Sequence, residues 1–280
     1  MSTPAPGLVA LRSLSSPEDF AACVELQRAT WGQGFSDLVP RSLLKVCQKV
    51  GGVAAGAFDP AGSLLAFVFG LSGVKDGRLA HWSHMLAVRP EARDLGLGTR
   101  LKLFQRELLI AEGVESVYWT FDPLEARNAH LNFNHLGVEV VQYVEEMYPG
   151  ESGSELAEGI GTDRFIVDWR IGGDRVRRVL ATGPEEGDGG LAAAPVVDLA
   201  ALSLPLPEAP RVCVEVPANI QELKAQEPET AAAWRAVTRR AFVSYLAGGY
   251  RVAAFRRDPA SGRSFYGLET TREPSGAGAG

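Results

Sequence analysis

Apolar and polar positions along the chain follow two rhythms. Residues 8–11 read as a first strand. Ser16 then supplies a helix N-cap with Pro17 in the first turn, and Phe20, Cys23, Val24, Leu26 and Trp31 fall at helical spacing. After a loop over 32–37, Pro40 opens a second helix that ends near Gly51 and Gly52. Residues 53–58 and 64–71 read as strands joined by the turn sequence Asp59-Pro60-Ala61-Gly62, and 78–88 as another strand. From there strand and helix alternate: a helix over 99–112 stopped by Gly113, a strand over 116–121, a short helix over 128–136 stopped by Gly137, and strands over 138–144 and 163–171. An antiparallel start followed by alternation predicts a mixed sheet with helices on both faces.

Beyond residue 171 the pattern changes. Residues 181–210 are rich in Gly, Ala, Pro and Leu without a periodic run, so 176–210 is expected to be a linker or extended arm. Order returns over 211–272 as a small α/β extension. It comprises a strand over 212–216, Asn219 and Glu222 at capping-box spacing, a helix over 229–246 and strands over 250–255 and 264–268. The tail 273–280 is expected to be disordered.

Composition narrows the function classes. Hydrophobic residues are 46% and charged residues 22% of 280, ordinary for a globular protein, and the net charge of −6 argues against a nucleic-acid partner. The longest apolar run, 64–71, is too short to span a bilayer, and residues 1–15 lack the basic start and apolar run of a secretory signal. Three widely spaced cysteines (Cys23, Cys47 and Cys213) show no zinc-type spacing. The expectation is a cytoplasmic protein with no metal, no nucleic acid and no membrane.

Candidate chemistry concentrates between Ala87 and Leu101. A strand ends at Ala87-Val88-Arg89-Pro90, the chain turns through Arg93-Asp94-Leu95-Gly96-Leu97-Gly98, and a helix begins at Thr99 and Arg100. Gly96 and Gly98 let backbone approach a ligand, and the amides of Leu97, Gly98, Thr99 and Arg100 are expected to point outward at the positive end of the helix dipole. Arg89, Arg93, Arg100 and Lys102 add positive charge to an acidic chain. A P-loop would need Gly-Lys-Ser/Thr after its second glycine, and a dinucleotide loop a third glycine; neither is present.

The spacing Arg93-x-x-Gly96-x-Gly98 after Ala87-Val88-Arg89-Pro90 instead resembles the pyrophosphate loop of the GNAT acetyltransferase superfamily. Residues 126–138, with Asn128, His130, Phe133 and the run Leu136-Gly137-Val138, resemble its second signature. The resemblance covers residues 8–171 and implies a GNAT-type mixed, mostly antiparallel twisted sheet flanked by helices. Residues 1–175 would then form an acyl-CoA-binding domain. It also implies acetyl-CoA, or a related acyl-CoA, as co-substrate, held by Leu86, Val88, Arg93, Leu95, Gly96, Leu97, Gly98, Thr99, Arg100 and Asn128. Acyl transfer runs directly to an amine acceptor in that family. The extension would shape the acceptor site or a homodimer interface.

His84 falls where arylalkylamine acetyltransferases carry a catalytic histidine, which makes it the expected general base. Strand alternation puts Trp82, His84, Leu86 and Val88 on one face, with His81, Ser83 and Met85 opposite. Trp82 and Asp122 are candidates for the acceptor site. The sequence departs from the family pattern at Phe133, where many relatives place a tyrosine that protonates the leaving thiolate. Water or Tyr143 could take that role, or the thiolate could leave unprotonated. A non-catalytic acyl-CoA-binding protein is the alternative.

Overall fold

The computed structural model describes residues 8–148, 159–183, 191, 193–258 and 260–271; the expected disordered tail, 273–280, lies outside them. The chain forms two compact units. One comprises Met1–Trp119, Gly150–Leu156 and Asp168–Arg177, the other Thr120–Pro149, Ala157–Val167 and Arg178–Gly280.

The larger sheet has seven strands in the order β1-β2-β3-β4-β5-β7-β6. In the first unit β1 (Ala10–Ser13), β2 (Val53–Phe58), β3 (Leu64–Lys75) and β4 (Arg78–Val88) pair antiparallel in sequence order. β5 (Ser116–Phe121) joins β4 in parallel. Three helices accompany these strands: α1 (Pro17–Trp31), α2 (Arg41–Lys49) and α3 (Leu97–Ala111). The start of α1 follows from its sequence, because Ser16 and Asp19 close a capping box and Asp19 also pairs with Arg12 at 2.6 Å. Phe20, Cys23, Leu26, Leu44, Phe67 and Phe69 meet in one core cluster.

In the second unit α4 (Ala126–His130) runs into a wider π-type turn (Leu131–Leu136), followed by β6 (Glu139–Val144). β7 (Arg164–Arg170) and α5 (Asp174–Thr182) continue the chain, their residues 168–170 and 174–177 belonging to the first unit. Within 176–210, read above as linker or arm, lie the end of α5, the short strand β8 (Val196–Val197) and a 3-10 turn (Leu199–Leu202). Next come β9 (Arg211–Val216), α6 (Ile220–Gln226), α7 (Pro228–Ala247), β10 (Tyr250–Asp258) and β11 (Arg263–Thr270). They build a second sheet in the order β10-β11-β9-β8, with β8 parallel to β9 and the other pairs antiparallel. The core of this unit is aromatic: Phe165, Phe242 and Tyr266 pack with ring centroids 4.7 to 5.5 Å apart. Among the described residues no helix is long and apolar enough to cross a membrane.

Candidate functional site

β4 carries different chemistry on its two faces. His81, Ser83, Met85 and Ala87 are buried; Trp82, Leu86 and Val88 are half-buried and His84 is exposed, the alternation expected from the sequence. Opposite β3 the pairing steps from Phe69↔Met85 to Gly70↔Ser83, so His84 is the extra residue of a β-bulge. On the other side, β4 pairs with β5 only from Ala80↔Ser116 to Trp82↔Tyr118. Among the described residues, the backbone groups of 83–88 that point away from β3 therefore have no partner on β5.

The His84 ring has no hydrogen-bond partner among the described residues and lies edge-on to Phe69, centroids 6.2 Å apart. Although the residue as a whole is exposed, the protein crowded around its ring lowers its pKa, with the Asp37 carboxylate opposing. A neutral imidazole with an unengaged ring nitrogen can accept a proton near neutral pH.

His81 is its opposite. Its Nδ1 lies 3.0 Å from Ser72 Oγ, which donates to the Gly51 carbonyl, so Nδ1 must be the protonated nitrogen. Nε2 then accepts from the Gln105 amide at 3.0 Å, Ser83 Oγ donates to Gln105 Oε1, and Lys102 Nζ donates to Ser83 Oγ at 2.8 Å. All the bonds run one way, from Lys102 to Gly51. Burial and the Lys102 charge push the His81 pKa down to about 3, so this histidine stays neutral and structural. Gly70 on β3 makes room for it: a Cβ there would lie 2.2 Å from His81 Nε2. Sequence reading missed this chain of side chains. Its signal is a polar pair, Lys102 and Gln105, on the same helix face as the buried Leu101 and Leu109.

Beyond β4 a 3-10 turn (Pro90–Leu95) leads to Gly96, in the left-handed region at φ 65°, and α3 starts at Leu97. No neighbour lies within 4 Å of a Cβ built at Gly96, so its requirement is conformational. No side chain caps α3, so the amides of Leu97, Gly98 and Thr99 precede the first helical bond. The Arg100 amide departs from expectation, since it closes on the Gly96 carbonyl at 3.1 Å. Leu97 is fully buried, backbone included, so the accessible amides at the helix start are those of the half-buried Gly98 and Thr99.

The expected basic rim is also smaller. Arg89 Nε donates to the Leu64 carbonyl at 2.7 Å and an Arg100 Nη to that of Val9 at 2.8 Å. Lys102 is 4% exposed and lies over the Trp119 ring, 3.7 Å from its centroid, with its pKa lowered by burial to about 7. Arg93 stays exposed on the 3-10 turn, with Leu95 half-buried beside it.

In the second unit, α4 begins at Ala126 after Glu125, so Asn128 is its third residue rather than its cap, and it is exposed. Phe133 is 2% exposed against Phe121, Phe255 and Tyr266. The Tyr143 hydroxyl donates to Asp163, and burial raises its pKa, so it holds its proton. Asp122, expected near the acceptor amine, is already engaged: Oδ1 accepts from the Leu124 amide at 2.8 Å, while Oδ2 accepts from Arg235 at 2.5 Å and Arg164 at 3.4 Å.

No family model matches the chain, and no curated protein matches it. Solved structures do. In fold, the chain is similar to acetyltransferases. A chain of the NatC complex bound to Gag peptide and CoA is 14% identical, with 58% of this chain and 98% of that one covered at a TM-score of 0.48. The acetyltransferase of GNAT family from Streptococcus pneumoniae is 18% identical, with 57% and 98% covered at 0.45. The putative acetyltransferase yncA from Salmonella typhimurium, solved with acetyl-CoA, is 15% identical, with 59% and 94% covered at 0.46.

Proposed function

We propose that this protein transfers an acyl group from acyl-CoA directly to an amine. The observation that supports it most is the junction after β4, where a bulge at His84, a left-handed Gly96 and an uncapped helix start at Leu97 follow one another along the chain. The amides of Gly98 and Thr99, with that of Leu97 beneath them, suit the CoA pyrophosphate, and Arg93 adds charge at the rim. Leu86 and Val88 would lie along the pantetheine arm. CoA supplies a thioester, whose thiolate is a good leaving group. His84 takes the proton of the attacking amine, and an unpaired β4 amide meets the oxyanion as the C–N bond forms and the C–S bond breaks. Phe133 favours a second reading, an acyl-CoA-binding protein without turnover, because it offers no hydroxyl to the departing sulfur.

Calorimetry with acetyl-CoA tests the donor site. The reading fails if neither acetyl-CoA nor free CoA binds and Gly98→Trp changes nothing. Release of free CoA across an amine panel separates enzyme from binder. His84→Ala should lower turnover about a hundredfold with acetyl-CoA affinity intact. Its pKa is lowered, so the wild-type rate should fall with acidity only below the ordinary histidine range near 6.5, and that limb should vanish in His84→Ala.

A further inference from the structure

Arg235 lies on the buried stripe of α7 with Ala231, Thr238 and Phe242 and is 5% exposed. Its Nε donates to the Ile160 carbonyl at 2.8 Å and Nη2 to Asp122 Oδ2 at 2.5 Å. Nη1 is buried and has no acceptor among the described residues. A guanidinium carries five N–H donors, and leaving two of them unanswered away from water is costly enough that such a group calls for an explanation.

The surroundings indicate what would answer them. Asp122 Oδ2 is shared between Arg235 and Arg164, so one carboxylate faces two guanidiniums. Arg164 spends Nη1 on the Asp163 carbonyl as well, at 2.8 Å. Glu125 faces the same cluster, but burial raises its pKa and Gln221 already donates to it at 2.6 Å. The two nearby hydroxyls are committed, Tyr266 to the Pro123 carbonyl and Tyr143 to Asp163. The Asp163 carboxylate nearby is committed to Arg239 and Tyr143. What is missing is an acceptor, because two guanidiniums share one carboxylate oxygen and Nη1 meets none.

We propose that Arg235 Nη1, with Arg164 beside it, binds the carboxylate of a small organic acid, with Asp122 holding the guanidinium in place.

Melting temperature and calorimetry on the full chain test the site without turnover. Acetate, succinate and N-acetylglycine are compared with acetamide, succinamide and N-acetylglycinamide. At least one acid should stabilise the protein where its amide does not. Arg235→Lys keeps a donor for Asp122 but loses the fork, and should weaken that acid about ten- to a hundredfold. Asp122→Asn keeps an acceptor for Nη2 but loses its charge, so the guanidinium is held less firmly and acid affinity should fall a few-fold. If no acid is distinguished from its amide in the wild type, or if the preference survives in Arg235→Lys, the site is refuted; the wild-type comparison decides even if a variant does not fold. Failure to bind acetyl-CoA would remove the acyl-transfer reading and leave the melting comparison standing.

Discussion

The glycine loop and the Arg235 cluster are both proposed anion sites, and they are built in opposite ways. The loop, in the first unit, draws its donors from consecutive backbone amides at the start of α3. The cluster, in the second unit, depends on side chains whose central pair, Asp122 and Arg235, is 113 positions apart in sequence. A backbone site should tolerate changes of side-chain chemistry but not of φ or bulk. A side-chain site should be the reverse, and stability should register the difference because the cluster buries charge.

The largest effect is therefore expected at Arg235. Arg235→Met would leave Asp122 buried with only Arg164 and the Leu124 amide, and should cost about 3 kcal/mol of unfolding free energy. Arg235→Lys should cost less than half as much. Urea unfolding measures both, and a loss below about 1 kcal/mol in Arg235→Met would mean that Asp122 does not depend on this pair.

Lys102 comes next. It sits on the same helix as the loop, yet its charge is spent inside the unit, and its pKa is lowered from 10.5 to about 7. Between these values the unfolded chain binds more protons than the folded one, so stability should rise from pH 7 to about 10.5 and level off above. The rise should amount to a few kcal/mol and disappear in Lys102→Met. A wild-type stability curve flat across that range would show that Lys102 is charged at no cost where it lies.

How much of each region was legible follows from the same contrast. The loop could be read because glycine spacing, strand end and helix start are local in sequence, and so are most of the elements of both sheets. The alternation on β4 correctly set His84 apart from His81. Side-chain direction was less accessible: Arg89, Arg100 and Lys102 were counted as a basic rim, whereas two reach backbone carbonyls and one enters the core. The seat of Asp122 was out of reach, since its partner stands on a helix far along the chain. One clue was present, an arginine in the apolar stripe of residues 231, 234, 238 and 242.

Gly96→Val should have a more modest effect, because the left-handed conformation of this residue costs a β-branched side chain about 1–2 kcal/mol. The same substitution should weaken acetyl-CoA by distorting the amides that follow, whereas an Arg235 substitution at a folded temperature should leave free CoA affinity unchanged. Equal loss of free CoA binding in both variants would erase the distinction between the two sites.

The smallest effect is expected at Arg93, and it sharpens the contrast most. Arg93 is exposed, so its removal creates no buried unpaired group, and Arg93→Ala should leave the urea midpoint within about 0.5 kcal/mol of wild type. If the amides carry the site and Arg93 only adds to the local potential, acetyl-CoA affinity should fall by about two- to fivefold, and that loss should shrink as salt is raised. Arg89→Ala should behave differently: its guanidinium is tied to the Leu64 carbonyl, so stability should suffer more than affinity. A hundredfold loss of affinity in Arg93→Ala would instead make the loop a side-chain site, and its apparent kinship with a backbone cradle would be wrong.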